Sequence, residues 1–524
     1  MEEPREYVFS TQPPKQDRLF ELTPRDRGYG LVLFLSAILF AAFGLCGGFQ
    51  AGFTATALLC FGVCTAYLYP GRAHTGVYAP VCGLLACMLS GVFLLTSNGS
   101  VRFFSVLVMG LLAAVWFCAL AERRPGTGDL GLLGTVCRSL FPGMCGKMPA
   151  SMASLFAGKG RKKKGLGKAL LGVVLALPVL VIVVPLLISS DAAFSGMAEA
   201  LADNLGSAAK RIIVGLLLAP FLVSFCFALR KTEHQQTPDS NFRGVESTIV
   251  VSFLSVLSVC YLAYLFSQMA YFFSAFQGFL PQGYTFSVSE YARRGFFEMT
   301  VIAALNFAIV FGALLLSRKQ NGKLSMPVRL LSLFISLFTL IIIATALSKM
   351  GLYIGSFGMT VLRITTSAFM VFLTVVFISL ILRLFIPRVK VVQTALLAAG
   401  CVLLVLGCVN VNRVVASYNY DAYKSGALET VDVQTIAELG DEGVPYLVKL
   451  AEDRSVSVAI RSQAESELSA LIREEYYHTR MENGKHTVYA QQRHISAYSI
   501  AAGQAYTALE QYIRNNPERF VFAK

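Results

Sequence analysis

Four charged side chains stand at the mouth of one long apolar run, in the stretch SEYARRGFFE at residues 289–298. If this stretch is helical, Glu290 and Arg293 lie at i, i+3 spacing, and Arg294 and Glu298 at i, i+4, where helical side chains meet. Glu298 falls inside the hydrophobic run, where a carboxylate must be protonated, paired or beside water. The stretch is therefore a candidate functional site, with simple anchoring of a helix at the membrane interface as the alternative.

The elements that position these residues are membrane spans. Hydrophobic residues make up 55% of the chain and charged residues 15%, and the mean hydropathy is +0.61. The apolar residues fall in blocks of about 20, the length that crosses a bilayer as a helix. The sequence thus predicts an all-α membrane protein with about 11 transmembrane helices and a soluble, helical C-terminal domain.

The predicted spans fall into two groups. Four follow a polar segment at residues 1–29 and occupy 30–120, and seven more, after a long loop at 121–168, occupy 169–410. Their approximate bounds are 30–47, 51–69, 78–96, 103–120, 169–188, 211–229, 248–270, 296–316, 328–347, 364–386 and 394–410.

The long loop at 121–168 carries a strong excess of basic residues, with only Glu122 and Asp129 as acids. Loops rich in Lys and Arg stay in the cytoplasm, so the N-terminus is predicted to be cytoplasmic and the C-terminus extracytoplasmic. The net charge of +14 is thereby explained by topology rather than by binding of nucleic acid. Four consecutive basic residues of the loop are predicted to contact anionic lipid headgroups: Arg161, Lys162, Lys163 and Lys164.

This topology places further polar residues on the same, outer side as the 289–298 stretch. Asp191 follows the fifth span, while Tyr353 and Arg363 occupy the connection between the ninth and tenth. We therefore expect one outward-facing polar cluster, whose candidate members are Asp191, Glu290, Tyr291, Arg293, Arg294, Glu298, Tyr353 and Arg363.

The segment 411–524 differs from the rest of the chain, with 15 acidic and 12 basic residues and no long apolar block. Residues 439–472 are predicted to form two helices joined near Asp453, like a single HEAT-type hairpin. A last helix at about 494–515 presents an apolar stripe that includes Tyr498 and Leu509. The segment is therefore predicted to be a separate extracytoplasmic domain that could bind a protein partner.

The sequence shows no recognisable motif of catalysis or metal binding. It contains no HExxH pair, phosphate-binding Walker loop or GxSxG elbow. The 12 cysteines are scattered and fit neither a disulfide framework nor a zinc ligand set. We accordingly predict no cofactor, no metal and no catalytic residue, and incline towards a protein that is not an enzyme.

Three phrases of the sequence carry a family resemblance: LPVLVIVVPLLISSDAAF, SEYARRGFFEM and GLYIGSFGMTVLR, in that order. Together they resemble a bacterial polytopic family catalogued only as a domain of unknown function, of the 4153/4173 type. The resemblance covers roughly residues 160–450. It implies a multi-pass protein of the bacterial cytoplasmic membrane and carries over no activity, substrate or site residue.

Two functions from different classes fit these observations. The first is transport-related or channel-like, based on prolines inside the fifth and sixth spans and on polar Glu298 and Asn306 in the eighth. The second is a membrane scaffold or sensor whose extracytoplasmic domain binds a partner of the cell envelope. An integral-membrane enzyme acting on lipid or cell-wall precursors ranks third.

Overall fold

The computed structural model describes eleven stretches of the chain, together with isolated positions between residues 131 and 180. The stretches are residues 23–47, 49–69, 76–121, 183–191, 193–197, 207–231, 244–276, 296–318, 324–482, 485–489 and 498–522. Within them the chain is mostly helical, with one small sheet near the C-terminus.

The described residues include 10 helices that are long and apolar enough to cross a membrane. They are α1 (Pro24–Leu39, continued by a π-helical turn at Phe40–Leu45), α2 (Ala51–Leu68), α3 (Tyr78–Leu95), α4 (Gly99–Leu120), α5 (Ser207–Lys231), α6 (Ser247–Phe276), α7 (Phe296–Leu316), α8 (Met326–Phe357), α9 (Val361–Phe385) and α10 (Val391–Val409). The predicted class, an all-α multi-pass membrane protein, is confirmed. The predicted fifth span, 169–188, lies mostly outside the described residues; its last six positions are helical.

Contacts between the ends of the membrane helices show which connections lie on the same side of the membrane. On one side, which we call the Asp26 side, Asp26 at the start of α1 accepts a hydrogen bond of 3.0 Å from Tyr67 at the end of α2. The same carboxylate lies 3.8 Å from Arg230 at the end of α5. On the other, which we call the tail side, the connections α1–α2, α3–α4 and α8–α9 all contact the C-terminal region.

Between the end of α4 and the start of α5 the chain passes from one side of the membrane to the other, and none of the ten described spans makes this crossing. Helix α4 ends on the Asp26 side, because Trp116 near its end donates to Thr65 near the end of α2. Helix α5 also ends on that side, through Arg230, so it begins on the tail side. The chain therefore changes sides between Ala121 and Ser207.

The apolar interior of the membrane part is formed by three clusters of helices. Helices α6 to α9 share one core, centred on fully buried residues such as Ile335 and Phe377. The remaining helices form two further clusters, one of α1, α2, α4 and α5 and one of α3, α4 and α10. In the latter, Gly400 and Gly407 of α10 meet the side chains of Leu85 and Val92 of α3. A side chain at either glycine would overlap α3, so these glycines permit close helix packing.

The C-terminal region follows directly from α10. Its helices are α11 (Val411–Lys424), α12 (Val433–Ala437), α13 (Val444–Glu452), α14 (Val458–Leu471, with a π-helical turn at Ile472–Tyr476) and α15 (Ile500–Asn515). Helices α13 and α14 occupy the position of the predicted hairpin, and α15 packs its alanine and leucine stripe against α13. Tyr498, predicted to lie in that stripe, instead precedes α15 and is 54% exposed.

A three-stranded sheet completes this region and was not predicted. Strand β1 (His478–Glu482) pairs antiparallel with β2 (Lys485–Tyr489), which pairs parallel with β3 (Phe520–Phe522). The pair Asn483–Gly484 between β1 and β2 is a strong hairpin signal. The prediction followed the longer helical periodicity around it and missed the strands.

Candidate functional site

Of the predicted polar cluster, the structure brings Tyr353 and Arg363 together. The guanidinium of Arg363 lies 4.1 Å from the centroid of the Tyr353 ring, within the range of a cation–π contact. The same guanidinium donates to the carbonyl oxygens of Phe357, at 3.1 Å, and Gly358, at the C-terminus of α8. A cation there complements the helix dipole, so this contact fixes the turn from α8 into α9.

The other predicted site residues are not seen to join this pair. Glu298 is exposed in the first turn of α7, and exposed Asp191 accepts a hydrogen bond of 3.0 Å from the backbone of Ala193. The remaining members lie outside the described residues: Glu290, Tyr291, Arg293 and Arg294 of the cluster, and Arg161, Lys162, Lys163 and Lys164 of the basic loop.

A different acidic residue, Glu442, forms the densest polar contact between the C-terminal region and the membrane helices. It ends a short 3-10 turn, Gly440–Glu442, directly before α13. A Cβ atom on the next residue, Gly443, would lie 2.0 Å from the carbonyl oxygen of Ile436, so only glycine fits this turn. The turn thereby directs the Glu442 side chain towards the connection between α3 and α4.

The carboxylate of Glu442 is 4% exposed and binds donors from two separate parts of the chain. Its Oε1 accepts from the backbone N–H of Ser97, at 2.7 Å, and from the amide of Asn410, at 3.1 Å. Its Oε2 accepts from the Ser97 hydroxyl and from the Asn412 amide, at 3.5 Å. Arg102, in the first turns of α4, adds a favourable charge interaction. Since buried carboxylates are stable only when paired and hydrogen-bonded, we expect this contact to be specific and costly to break.

Asparagine side chains extend the contact around Glu442. Asn98 donates to Asn412 at 2.7 Å, and Asn412 donates to the carbonyl oxygen of Leu439 at 3.0 Å. Asn410 has a left-handed backbone (φ 56°) between α10 and α11 and also donates to the Leu95 carbonyl at 2.7 Å. We call Ser97, Asn98, Asn410, Asn412 and Glu442 the junction.

Two more contacts tie the C-terminal region to membrane connections on the tail side. Asn419 of α11 exchanges two hydrogen bonds with the backbone of Met359, at 2.7 and 2.8 Å, between α8 and α9. The carbonyl oxygen of Tyr498 accepts from the N–H of Ala51, the first residue of α2, at 3.1 Å. The region is thus held at three membrane connections and continues a fourth membrane helix, α10.

Beside the junction lies a polar cleft between α11, α13 and α15, with a volume of about 650 Å³. Its lining includes two basic residues, several polar ones and Glu442 at one end: Arg413, Glu442, Pro445, Tyr446, Lys449, Tyr498, Ile500, Gly503, Gln504, Thr507, Ala508 and Gln511. A cleft of this size and polarity suits a small polar ligand or a headgroup.

Two buried polar clusters lie within the membrane part itself. The fully buried carboxylate of Asp26 accepts from Tyr67, and Arg230 lies 4.8 Å from the Tyr67 ring centroid. Tyr261 of α6 donates to Asn306 of α7, at 2.5 Å, and Asn306 donates to Thr339 of α8, at 2.9 Å. Both clusters satisfy their own hydrogen bonds, as expected of polar groups that hold helices together in lipid.

Metal binding has no support among the residues that the structure describes, which contain no group of three or more His, Cys, Asp or Glu side chains able to hold an ion. A cavity of about 730 Å³ surrounded by the five helices α1 to α5 is lined almost entirely by apolar side chains and by cysteines such as Cys60 and Cys64. It offers a polar solute little beyond the hydroxyl of Ser90.

Within the C-terminal region, Asp453 at the end of α13 is held in its charged form by neighbouring donors. Lys424 at the end of α11 donates to it at 2.6 Å, and Ser455 donates through both its hydroxyl and its backbone N–H. These bonds, the one from Lys424 foremost, lower the pKa of Asp453 from 3.8 to about 2. The pair holds the C-terminal ends of α11 and α13 together.

The fold and these contacts define a multi-pass helical membrane protein whose C-terminal region is fastened to the membrane helices. The chain belongs to the family described as a domain of unknown function, DUF4153, which matches residues 83–450. The match extends from α3 into α13 and so includes every residue of the junction. No curated protein and no solved structure matches the chain.

The junction was missed by the sequence predictions because each partner is unremarkable on its own. Glu442 stands in a polar turn with Asp441, and Ser97 and Asn98 form an ordinary short loop. The one local signal was Asn98 and Asn410, each directly before a helix, where asparagine caps the first turn. The hydrogen bond between Asn98 and Asn412, which lie 314 positions apart, depends on the packing of α3 against α10.

Proposed function

We propose that this protein is a membrane-anchored sensor or scaffold whose C-terminal region binds a partner and passes that event to the membrane helices. The observation that carries the proposal is the junction, where the buried Glu442 carboxylate joins the C-terminal region to the start of α4 and the end of α10. A domain that served only as an anchor or a spacer would need no buried charged contact with the spans.

The junction can act as a transmission point because its parts cannot move separately without cost. Withdrawing Glu442 from Ser97 would leave buried donors and a buried carboxylate unsatisfied, at about 1–3 kcal/mol for each group. A partner that changes the position of α13 therefore also changes the connection between α3 and α4. Energetic coupling between two sites needs a contact that both sites share, as the junction provides.

The distribution of charge supports an extracytoplasmic position of the C-terminal region. The membrane-helix ends on the Asp26 side carry several described basic residues: Arg25, Arg27, Arg230, Arg318, Arg329, Arg383, Arg388 and Lys390. Those on the tail side carry fewer: Arg102, Lys210, Arg211, Lys349 and Arg363. The basic loop at 121–168 also leaves α4 on the Asp26 side. Basic residues are retained in the cytoplasm, which favours an extracytoplasmic tail side.

Transport through the membrane part is the alternative, and the described spans favour it less. The buried Asn306 hydrogen-bonds Tyr261 and Thr339, so it joins helices rather than facing a water-filled path. The large cavity surrounded by α1 to α5 is apolar. Neither feature offers a polar solute a route.

Proximity labelling in the native membrane, followed by purification of what is labelled, tests the sensor role. A peroxidase fused after Lys524 should label a partner, and the purified partner should bind the full chain in nanodiscs. We expect binding to alter hydrogen exchange at residues 95–101, around Ser97. The change should disappear in Glu442→Ala and persist in Glu438→Ala, an exposed carboxylate of the same segment.

Transport of a solute by the pure protein is the result that would contradict the sensor proposal. If proteoliposomes of the pure chain carry a solute at the same rate with wild type and Glu442→Ala, the protein is a transporter and the sensor proposal is wrong. A partner that binds without any change at residues 95–101 would also contradict transmission through the junction.

A further inference from the structure

The polar cleft lies at the level of the membrane-helix ends, not at the far end of the C-terminal region. Tyr498 lines it and accepts a hydrogen bond from Ala51, the first residue of α2. Glu442 also lines it and binds Ser97, two residues before α4 begins. The headgroup layer of a bilayer surrounds such helix ends, so the cleft lies next to lipid phosphates.

Two cations face this cleft without an acidic partner among the described residues. The exposed Arg413 follows the left-handed Asn410 in the first turn of α11, and its guanidinium has no described hydrogen bond or ion pair. The ammonium of Lys449 lies 4.6 Å from the ring centroid of Tyr446 and 5.5 Å from that of Tyr420. Aromatic rings hold a Lys side chain in place while leaving its N–H groups free to bind an anion.

The one acid in the lining does not offset these cations for an incoming ligand. Both oxygens of Glu442 already accept hydrogen bonds from the junction, and Arg102 lies close enough to interact with its charge. Across the cleft, exposed Gln504, Thr507 and Gln511 of α15 supply neutral donors and acceptors. The cleft therefore combines a net positive charge with hydrogen-bonding groups suited to hydroxyls.

The lining of the cleft also includes exposed apolar surface. Ile500 is 45% exposed and Tyr498 54% exposed, and both line the cleft. Tyrosine with an adjacent aliphatic residue is typical of a surface at the boundary between headgroups and acyl chains. A soluble anion would need no such apolar surface, whereas a lipid would.

We propose that the cleft binds the phosphate group of an anionic membrane lipid, with Arg413 and Lys449 as the phosphate ligands and α15 contacting the rest of the headgroup. The site is distinct from the Arg161–Lys164 loop, which is predicted on the opposite side of the membrane. It would hold a lipid whether the protein is a sensor or a transporter, and so goes beyond the proposed function.

Lipid binding to the full chain in mild detergent tests this site. The probes are short-chain phosphatidylglycerol, the zwitterionic phosphatidylcholine of the same chain length, and glycerol 3-phosphate. We expect saturable binding of phosphatidylglycerol. Phosphatidylcholine has the same phosphate, but its choline cation would stand beside Arg413 and Lys449 and offset that attraction, so it should bind at least about tenfold more weakly. Weak or no binding of glycerol 3-phosphate assigns the site to lipid; equal binding supports the phosphate site but assigns it to soluble phosphate esters.

Charge-reversal variants locate the binding. Arg413→Glu and Lys449→Glu should each weaken phosphatidylglycerol binding about tenfold. Arg454→Glu, an exposed arginine outside the cleft, makes the same change in net charge and should leave binding unaltered. Arg413→Gln removes the charge with less disturbance and should also weaken phosphatidylglycerol binding, in a protein that gel filtration shows to be folded. Equal losses in Arg413→Glu and Arg454→Glu, or equal affinity for the two lipids, would overturn the proposal.

Discussion

Glu442 accepts hydrogen bonds from both the backbone N–H and the side-chain hydroxyl of Ser97, a residue 345 positions earlier in the chain. One partner begins the hairpin of the C-terminal region, and the other lies in the connection between two membrane helices. Because the carboxylate is buried, this contact is a fixed feature of the fold and not a transient surface pair. It joins the C-terminal region to the connection between α3 and α4 and to the end of α10.

Replacing Asp26 should destabilise the membrane part of the protein. Asp26→Ala removes the acceptor of the Tyr67 hydroxyl, the partner of Arg230 and the capping box with Thr23. We expect a loss of about 3 kcal/mol, because a buried pair is broken with one partner left behind. Thermal unfolding in detergent measures it. Glu246→Ala, at an exposed carboxylate before α6, is the control, and an equal effect there would contradict the assignment.

Asn306→Leu should loosen the contact between α6, α7 and α8 by a smaller amount. Hydrogen bonds between membrane helices contribute about 1 kcal/mol, so we expect a loss of that order. Thr345→Val changes an exposed hydroxyl that bonds only its own helix, and it should be neutral. Denaturation of the purified chain in mixed detergents compares the two. Unchanged stability in Asn306→Leu would mean that leucine packing replaces the polar contact.

The Lys424–Asp453 pair should make the C-terminal region sensitive to acid. The folded pKa of Asp453 is depressed to about 2, so its contribution is present above its ordinary pKa of 3.8 and is lost as the pH falls from about 4 towards 2. Hydrogen exchange of α11 and α13, corrected for intrinsic rates, should rise over this range in wild type. In Asp453→Asn the same segments should be less protected at pH 7 and change less on acidification. An identical pH response in both proteins would show that other groups govern it.

The change of side between Ala121 and Ser207 predicts an odd number of membrane crossings in that interval. The sequence places one span there, at 169–188. Topology reporters fused after Ala121 and after Ser207 should therefore report opposite sides, cytoplasmic and extracytoplasmic. A fusion after Lys524 should agree with the one after Ser207. Reporters on the same side after Ala121 and Ser207 would contradict the side assignments of α4 and α5.

The sequence was sufficient for those features that depend on local composition. Hydropathy blocks predicted the positions of the ten described spans, because a bilayer-crossing helix must be apolar throughout its length. Three bounds were wrong by six to ten residues: α1 begins at Pro24 and not at 30, α6 ends at Phe276 and not at 270, and α8 ends at Phe357 and not at 347. The helices on either side of Asp453 were likewise visible from their periodic apolar residues. Tyr353 and Arg363 were expected on the same side of the membrane, in the connection between two spans, and the structure shows them in contact.

The junction could not be predicted in the same way, for a physical reason. Asn98 and Asn412 meet only because α3 and α10 pack side by side, and no periodicity within either helix encodes that neighbour. Glu442 was hidden by its setting, since an acid in a polar turn is usually solvated. Burial of the Glu442 carboxylate follows from the docking of the whole region, which a single sequence does not display.

Hydrogen exchange of the full chain in nanodiscs, followed by mass spectrometry of the peptides that cover residues 95–101, tests the central claim most directly. In wild type the Ser97 amide, bonded to Glu442, should exchange slowly. Glu442→Ala should speed that exchange by at least about tenfold, Glu442→Gln should have a smaller effect because one acceptor oxygen remains, and Glu438→Ala should match wild type. Equal protection of residues 95–101 in wild type and Glu442→Ala would contradict the account, because the C-terminal region would then not be fastened to the membrane helices through this carboxylate.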